Sequence, residues 1–417
     1  MVLFLGAVLS GCGGGGGDAN PPPPPPPVTP PPPPPVTPPV VEPPAALDSG
    51  PAACIDGDAG DFACMAISLE KRVSLDAMDG TAGNDVWGWT DTQTGMEYAL
   101  MGMTNGTAFV DVSDPQGPVF LGRLPTETRE SVWRDIKVYR DHAYIVADGA
   151  GAHGMQVFDL RRLRGLSGPA DWSPDLVYDG FEHAHNLAIN EATGFAYAVS
   201  TDTCDGGLHI MNIQTPINPM FAGCHNVRRT HDTQCVTYQG PDEEHRDREI
   251  CFSSNENHVE VVDVTDKSAP LTLSSTTYAQ MAYVHQGWLT EDQRYFLLGD
   301  ELDETNFGLT TRTHVFDVSD LDSPEHLYAH DLGTRATDHN LYVQGNRVFE
   351  ANYTTGLRVL EFGDLTAEDI REIAFFDTFP DSNARNLQGA WSVYPYLPSG
   401  TLIVSDMQNG LFVLSMQ

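Results

Sequence analysis

The chain has 417 residues, with 22 Lys+Arg against 58 Asp+Glu and a formal charge of −36. A field of that sign repels phosphate backbones and anionic lipid head groups, which excludes a nucleic-acid binder and favours cations. No segment after the first dozen residues approaches the ~18 apolar residues of a spanning helix, so nothing beyond the N-terminus is expected to hold the chain in a bilayer.

Residues 1–12, MVLFLGAVLSGC, are apolar and end in Leu9-Ser10-Gly11-Cys12, the pattern of a bacterial lipobox. Cys12 is therefore expected to become a lipidated N-terminus, a single acyl anchor and the only membrane attachment. Gly13 stands where an Asp often marks inner-membrane retention, which points the anchor to the outer membrane or cell surface. Residues 13–50 follow as a Gly- and Pro-rich arm. Its proline run, 21–44, cannot pack a core and favours polyproline II at ~3.1 Å per residue, a stalk reaching on the order of 70 Å.

With Cys12 set aside, six cysteines remain, an even number in a chain expected to leave the cytoplasm. Cys54 and Cys64 close the short loop CIDGDAGDFAC, while Cys235 and Cys251 sit on consecutive strand-like runs that would pair antiparallel. Cys204 and Cys224 are left to each other, so three disulfides are expected.

From about residue 85, within a domain spanning 51–417, one element recurs. It is a strand of period-2 alternation, often leaving through Asp and Pro: GTAFVDVSDP from Gly106, GMQVFDL from Gly154, GLHIMNIQTP from Gly207, HVEVVDVTD from His258, THVFDVSD from Thr313, GLRVLEF from Gly356 and GLFVLSM from Gly410. Each unit carries two strand signals before it and one after it, at spacings from the mid-forties to the mid-fifties. Four antiparallel strands at that period match a propeller blade, so the expected fold is an all-β, seven-bladed β-propeller. The last unit lacks a fourth strand, and MAISLEKRVSL (65–75) is the segment expected to supply it and close the ring. A stacked-strand solenoid is the alternative, but it would want shorter repeats and a cap at each end.

The GL.VVDVSDP..P element resembles the LVIVD repeat. The longer runs GNDVWGWTDTQTGMEYAL, WRDIKVYRDHAYIV, HDTQCVTYQGPDEEHRDREICFSSNE and VHQGWLTEDQRYFLLGDELDE resemble the bacterial choice-of-anchor B family over roughly residues 54–417. The resemblance implies an exported propeller joined to whichever surface anchor its host uses. It implies no activity.

In a propeller the start of each innermost strand and the loop between the second and third strands share one face. That face is expected to collect His183, His185, His231, Asp232, His285, Asp338 and His339 from strand starts. The loops would add Asp202, Asp205, Asn255, Glu256, Asp300, Glu301, Asp303, Glu304, Glu350, Asn352 and Asp406, and Trp87, Trp133 and Trp391 an aromatic wall. Concave sites with convergent polar groups amid aromatic surface are typical ligand sites. Imidazole with carboxylate suits a divalent transition metal, and the candidate ligands are His185, His231, His285 and His339, with His183, Asp232, Asp300, Glu301 and Asp338 secondary. A structural reading stands beside this one: duplicated blades would repeat any histidine that hydrogen-bonds a neighbouring blade's backbone. The acidic runs GDELDETN (299–306) and Asp56, Asp58 and Asp61 are candidate calcium loops. His142 and His153 lie in the second unit, with His153 expected at the surface.

The chain has no G-x-S-x-G elbow, H-E-x-x-H pair or G-x-x-x-x-G-K-[ST] loop. The proline stalk points instead to a binding or scaffolding module, with an envelope or extracellular protein or a small ligand as partner, since a receptor gains from standing off the membrane and a small-molecule enzyme gains little. A metal-dependent hydrolase or oxidase using the histidines is the alternative, and a ring that merely spaces envelope partners is a third reading.

Overall fold

The computed structural model describes residues 50–226 and 229–417. The lipobox, Cys12 and nearly all of the proline arm lie outside the described residues. Among the described residues no helix is long and apolar enough to cross a membrane.

Seven antiparallel sheets stand side by side, occupying residues 83–125, 133–178, 186–225, 232–276, 284–331, 340–376 and 390–416, here blades one to seven. Their innermost strands neighbour one another in sequence order, and that of blade seven returns to that of blade one. The seven repeated elements are the third strands, such as Gly106–Asp111 and Val259–Asp263. They alternate, yet both faces are buried, because each blade is sandwiched between two others.

The recurrent Asp has a local task. Asp111, Asp263 and Asp317 each accept a hydrogen bond from the backbone N–H two residues on (2.8 to 3.0 Å), turning the chain out of the strand. The residue after that Asp then donates its N–H back across the blade, Val112 to Glu97 O and Val264 to Glu249 O at 2.9 and 2.8 Å. Aromatic pairs fill the seams between blades, as Phe109 on Phe158 at 4.5 Å and Phe252 on Phe296 at 5.6 Å.

The ring closes as expected: Ile67–Val73 lies antiparallel to Gly410–Met416 as the fourth strand of blade seven. The residues just before it do something the sequence did not suggest. Phe62–Met65 pairs with Ile370–Phe376, and the short hairpin it forms with Asp58–Ala59 extends blade six to six strands. All three disulfides form as paired above: Cys54–Cys64, Cys204–Cys224 and Cys235–Cys251, the last joining directly opposed residues of one blade. Such bridges belong to chains that mature in an oxidising compartment.

Candidate functional site

Four imidazoles open the channel on the face where the inner strands begin. The rings of His185, His231, His285 and His339 follow one another round the rim at centroid separations of 4.5, 4.4 and 4.4 Å, and Trp391 continues the arc 4.6 Å beyond. Trp133 flanks the other end, 6.4 Å from His185. With Asp148, Tyr283, Glu301 and Tyr353 they line a cavity of about 410 Å³. Two of the rings owe their aim to bulges, since His285 and Trp391 are the extra residues between paired neighbours in their strands.

An innermost strand has one edge without a strand partner, and its backbone groups need another. The rim histidines supply it. The Nδ1 of His231 donates to His285 O at 3.0 Å, that of His285 to His339 O at 3.1 Å, and that of His339 to Trp391 O at 2.6 Å. His185 Nδ1 instead meets Asp148 Oδ2 at 3.1 Å. Links of the same kind carry on round the ring: Gly83 N to Met407 O (2.9 Å), Asn84 Nδ2 to Val132 O (3.2 Å), Leu187 N to Asp135 Oδ2 (2.7 Å) and Asn186 Nδ2 to His231 O (3.0 Å).

These bonds fix the tautomer. A carbonyl accepts only, so Nδ1 of His231, His285 and His339 carries the proton and Nε2 keeps a lone pair. Burial, reinforced by the neighbouring rings, drives His231 well below the usual imidazole range, and burial with the nearby histidines brings His285 and His339 to about 3. These three are neutral bases at pH 7. Glu301 stands before two of them, with Oε2 3.9 Å from His285 Nε2 and Oε1 4.0 Å from His339 Nε2, while Tyr353 Oη donates to Oε1 at 2.8 Å. Donor atoms of His285, Glu301 and His339 lie within 4.8 Å of one another, a two-histidine, one-carboxylate set that leaves coordination positions open.

The other expected residues divide. His183 sits at the outer rim, a third exposed, with Nδ1 3.2 Å from Asp148 Oδ1. Glu256 reaches the mouth through Tyr283 Oη at 3.3 Å. Asp202 accepts from Glu182 N, Asp205 is exposed, Asn255 bonds Glu260, Glu350 bonds Asn352, and Asp406 accepts from Gln408 N and Asn409 N in a turn. Asp300, Asp303, Glu304 and Asp338 turn away from the mouth into a closed cluster at the junction of blades five and six. Asp56, Asp58 and Asp61 are exposed and belong to none of the donor clusters found among the described residues.

Three further expectations need correcting, beside the four acidic residues that leave the mouth. Trp87 lies midway along Gly83–Thr90, whereas Trp133 opens its strand, so Trp87 lines the opposite end of the channel. Asp232 joins it there, beside Lys137. His153 is fully buried rather than at the surface: its turn folds the ring against the buried Arg134, whose Nη1 donates to Nε2 at 3.2 Å, while Nδ1 donates to Gly154 O at 3.0 Å. His142 is also buried, with Nδ1 bonded to Arg140 O.

The opposite end is a second cavity, of about 450 Å³, walled by Trp87, Trp288, Tyr342, Tyr394 and Tyr396 around Lys137 and Asp232. Sequence reasoning missed it, although Trp288, Tyr342 and Tyr394 each follow a rim residue by three, a signal that was present.

No family model matches the sequence, and no curated protein matches it. Solved structures do. A protein from Lactobacillus plantarum is 14% identical with a TM-score of 0.52, covering 78% of this chain and 89% of that one. Hydrazine synthase of Kuenenia stuttgartiensis is 12% identical at 0.51 (76% and 91%), and the Cps50 (Swd1) β-propeller domain of Myceliophteria thermophila 10% identical at 0.50 (77% and 93%). At these identities the likeness shows the fold, a β-propeller, and nothing of activity.

Proposed function

We propose that the chain is an exported, lipid-anchored binding module of the LVIVD-repeat, choice-of-anchor B kind, which captures its ligand at the histidine mouth through a divalent transition metal. His285, His339 and Glu301 are the ligands, with His231 and His185 beside them. The observation that carries this is the pairing of neutral imidazoles, each held through Nδ1 with Nε2 free, with a carboxylate about 4 Å from two of them. A hydrogen bond on the non-ligating nitrogen is what orients metal-binding histidines generally. The proline arm supports a docking role, because a stiff spacer helps a receptor reach a partner and gives a small-molecule enzyme little. The partner is an envelope or extracellular protein or a small ligand, at the outer membrane or cell surface.

Metal analysis of protein purified without chelator tests it. Wild type should carry a transition metal at the mouth that His285→Ala plus His339→Ala removes, with the fold intact by circular dichroism. Equal metal content in the two proteins sinks the reading. The same donor set, with positions open to water or substrate, favours as second reading a metal-dependent hydrolase or oxidase. Turnover of a panel of ester, phosphoester and phenolic substrates by the metal-loaded protein, lost in the same variant, would decide for it.

A further inference from the structure

We propose that Asp303, Glu304, His314 and Asp338, with Asp300 beside them, hold a divalent cation between blades five and six, a site separate from the mouth. Asp300 ends the second strand of blade five, and Asp303 and Glu304 lie on the single helical turn that follows. His314 comes from the third strand of the same blade, and Asp338 immediately precedes the residue that opens blade six at the rim. None is more than 5% exposed.

Among the described residues, six donor atoms in this cluster have no hydrogen-bond partner: Asp303 Oδ1, both oxygens of Glu304, both oxygens of Asp338, and His314 Nε2. The backbone N–H groups of Glu304 and Asp338 act on the Glu304 carboxylate but fall short of hydrogen-bond geometry. The imidazole is the independent witness. His314 Nδ1 is engaged by His326 Nε2 at 3.0 Å, and its Nε2 points toward Asp303 Oδ2 at 3.6 Å. Donor atoms of Asp300, Asp303 and His314 all lie within 4.8 Å of one another. Space is also kept for Asp338, since a Cβ on Gly299 would meet its Oδ2 at 2.4 Å.

Charge argues the same way. Among the described residues Arg312 is the guanidinium bonded to the cluster, with Nε 3.0 Å from Asp303 Oδ2, and Asp300 is answered by Tyr278 Oη and the N–H groups of Ala282 and Tyr283. Glu304 and Asp338 have no such answer, and an unpaired buried charge is strongly unfavourable. The cluster must therefore take up either protons or a cation. A proton bridges two of these atoms, so shared protons are the competing account, whereas one cation engages several carboxylate oxygens and the His314 nitrogen together. Carboxylates with one imidazole suit a manganese- or zinc-like ion better than calcium, which takes oxygen alone.

The two accounts separate under amide substitution. Glu304→Gln plus Asp338→Asn mimics protonated acids and should fold but lose about one equivalent of metal per chain, and, placed on His285→Ala plus His339→Ala, it should abolish the fall in melting temperature that EDTA causes in that protein. His285→Ala plus His339→Ala should keep that ion, which separates this site from the mouth and lets either proposal fail alone. An amide variant that melts at or above wild type with unchanged metal content overturns the inference. Should that variant not fold, the His285→Ala plus His339→Ala protein, stripped with EDTA and titrated with Mn²⁺, Zn²⁺ or Ca²⁺, decides. A saturable, one-to-one rise in melting temperature supports the site, and no rise with any of the three overturns it.

Discussion

His153 shows how a single side chain can be misread from composition and then carry a measurable signature. Glycines around it suggest an exposed turn, but the turn instead closes the ring over Arg134. Burial, then the Arg134 charge, lowers its pKa to about 4, against about 6.5 in an unfolded chain. Between those values the unfolded chain binds the extra proton, so stability falls as pH drops from 6.5 toward 4, by at most about 3 kcal/mol from this group. Urea unfolding across that range should show a shallower decline in His153→Gln, whose amide can still accept from Arg134. Identical pH slopes in the two proteins would mean the ring is protonated in the fold.

At the scale of strands, what the sequence revealed was whatever the repeat enforces. Third strands were legible because the same alternation recurs at the same place in every blade, and the Asp that ends them sets the turn wherever it occurs. Rim histidines were legible because each opens an equivalent strand. The paired strands around Cys235 and Cys251 were legible for the same reason, and their bridge closes a sequence separation of 16. Replacing both with Ser should cost about 3 kcal/mol by loop-closure entropy, read as a lower urea midpoint. Bulges and loop paths were not legible. Whether Trp87 faces one mouth or the other depends on where in its strand the register begins. Whether Asp300 and Asp338 face the channel or the blade junction depends on a helical turn too short to leave a periodic signal. The hairpin on blade six pairs two residues with two, too few for alternation to register.

Over the whole molecule, stability depends on closure by residues from the two ends of the described chain. Beyond the pairing of the closing strand, Gln417 N donates to Ala66 O at 2.9 Å and Gln417 Nε2 to Ser68 Oγ at 2.9 Å. A protein beginning at residue 50 should melt as one with the proline arm, in a single transition. One beginning at residue 76 leaves Gly410–Met416 an open edge and should aggregate or melt broadly. Calorimetry and size-exclusion chromatography distinguish the two, and a sharp, unshifted melt of the shorter protein would show that the ring does not need its last strand.

The links from blade to blade at the rim run the full circumference, and this gives the opening the character of a hoop. One gap cannot widen unless a bond in the circuit breaks, so the aperture keeps its gauge when something arrives. Whatever enters must be admitted by the swing of side chains such as Trp133, which is 45% exposed, and not by the parting of sheets. Selection at this gate is therefore a matter of calibre.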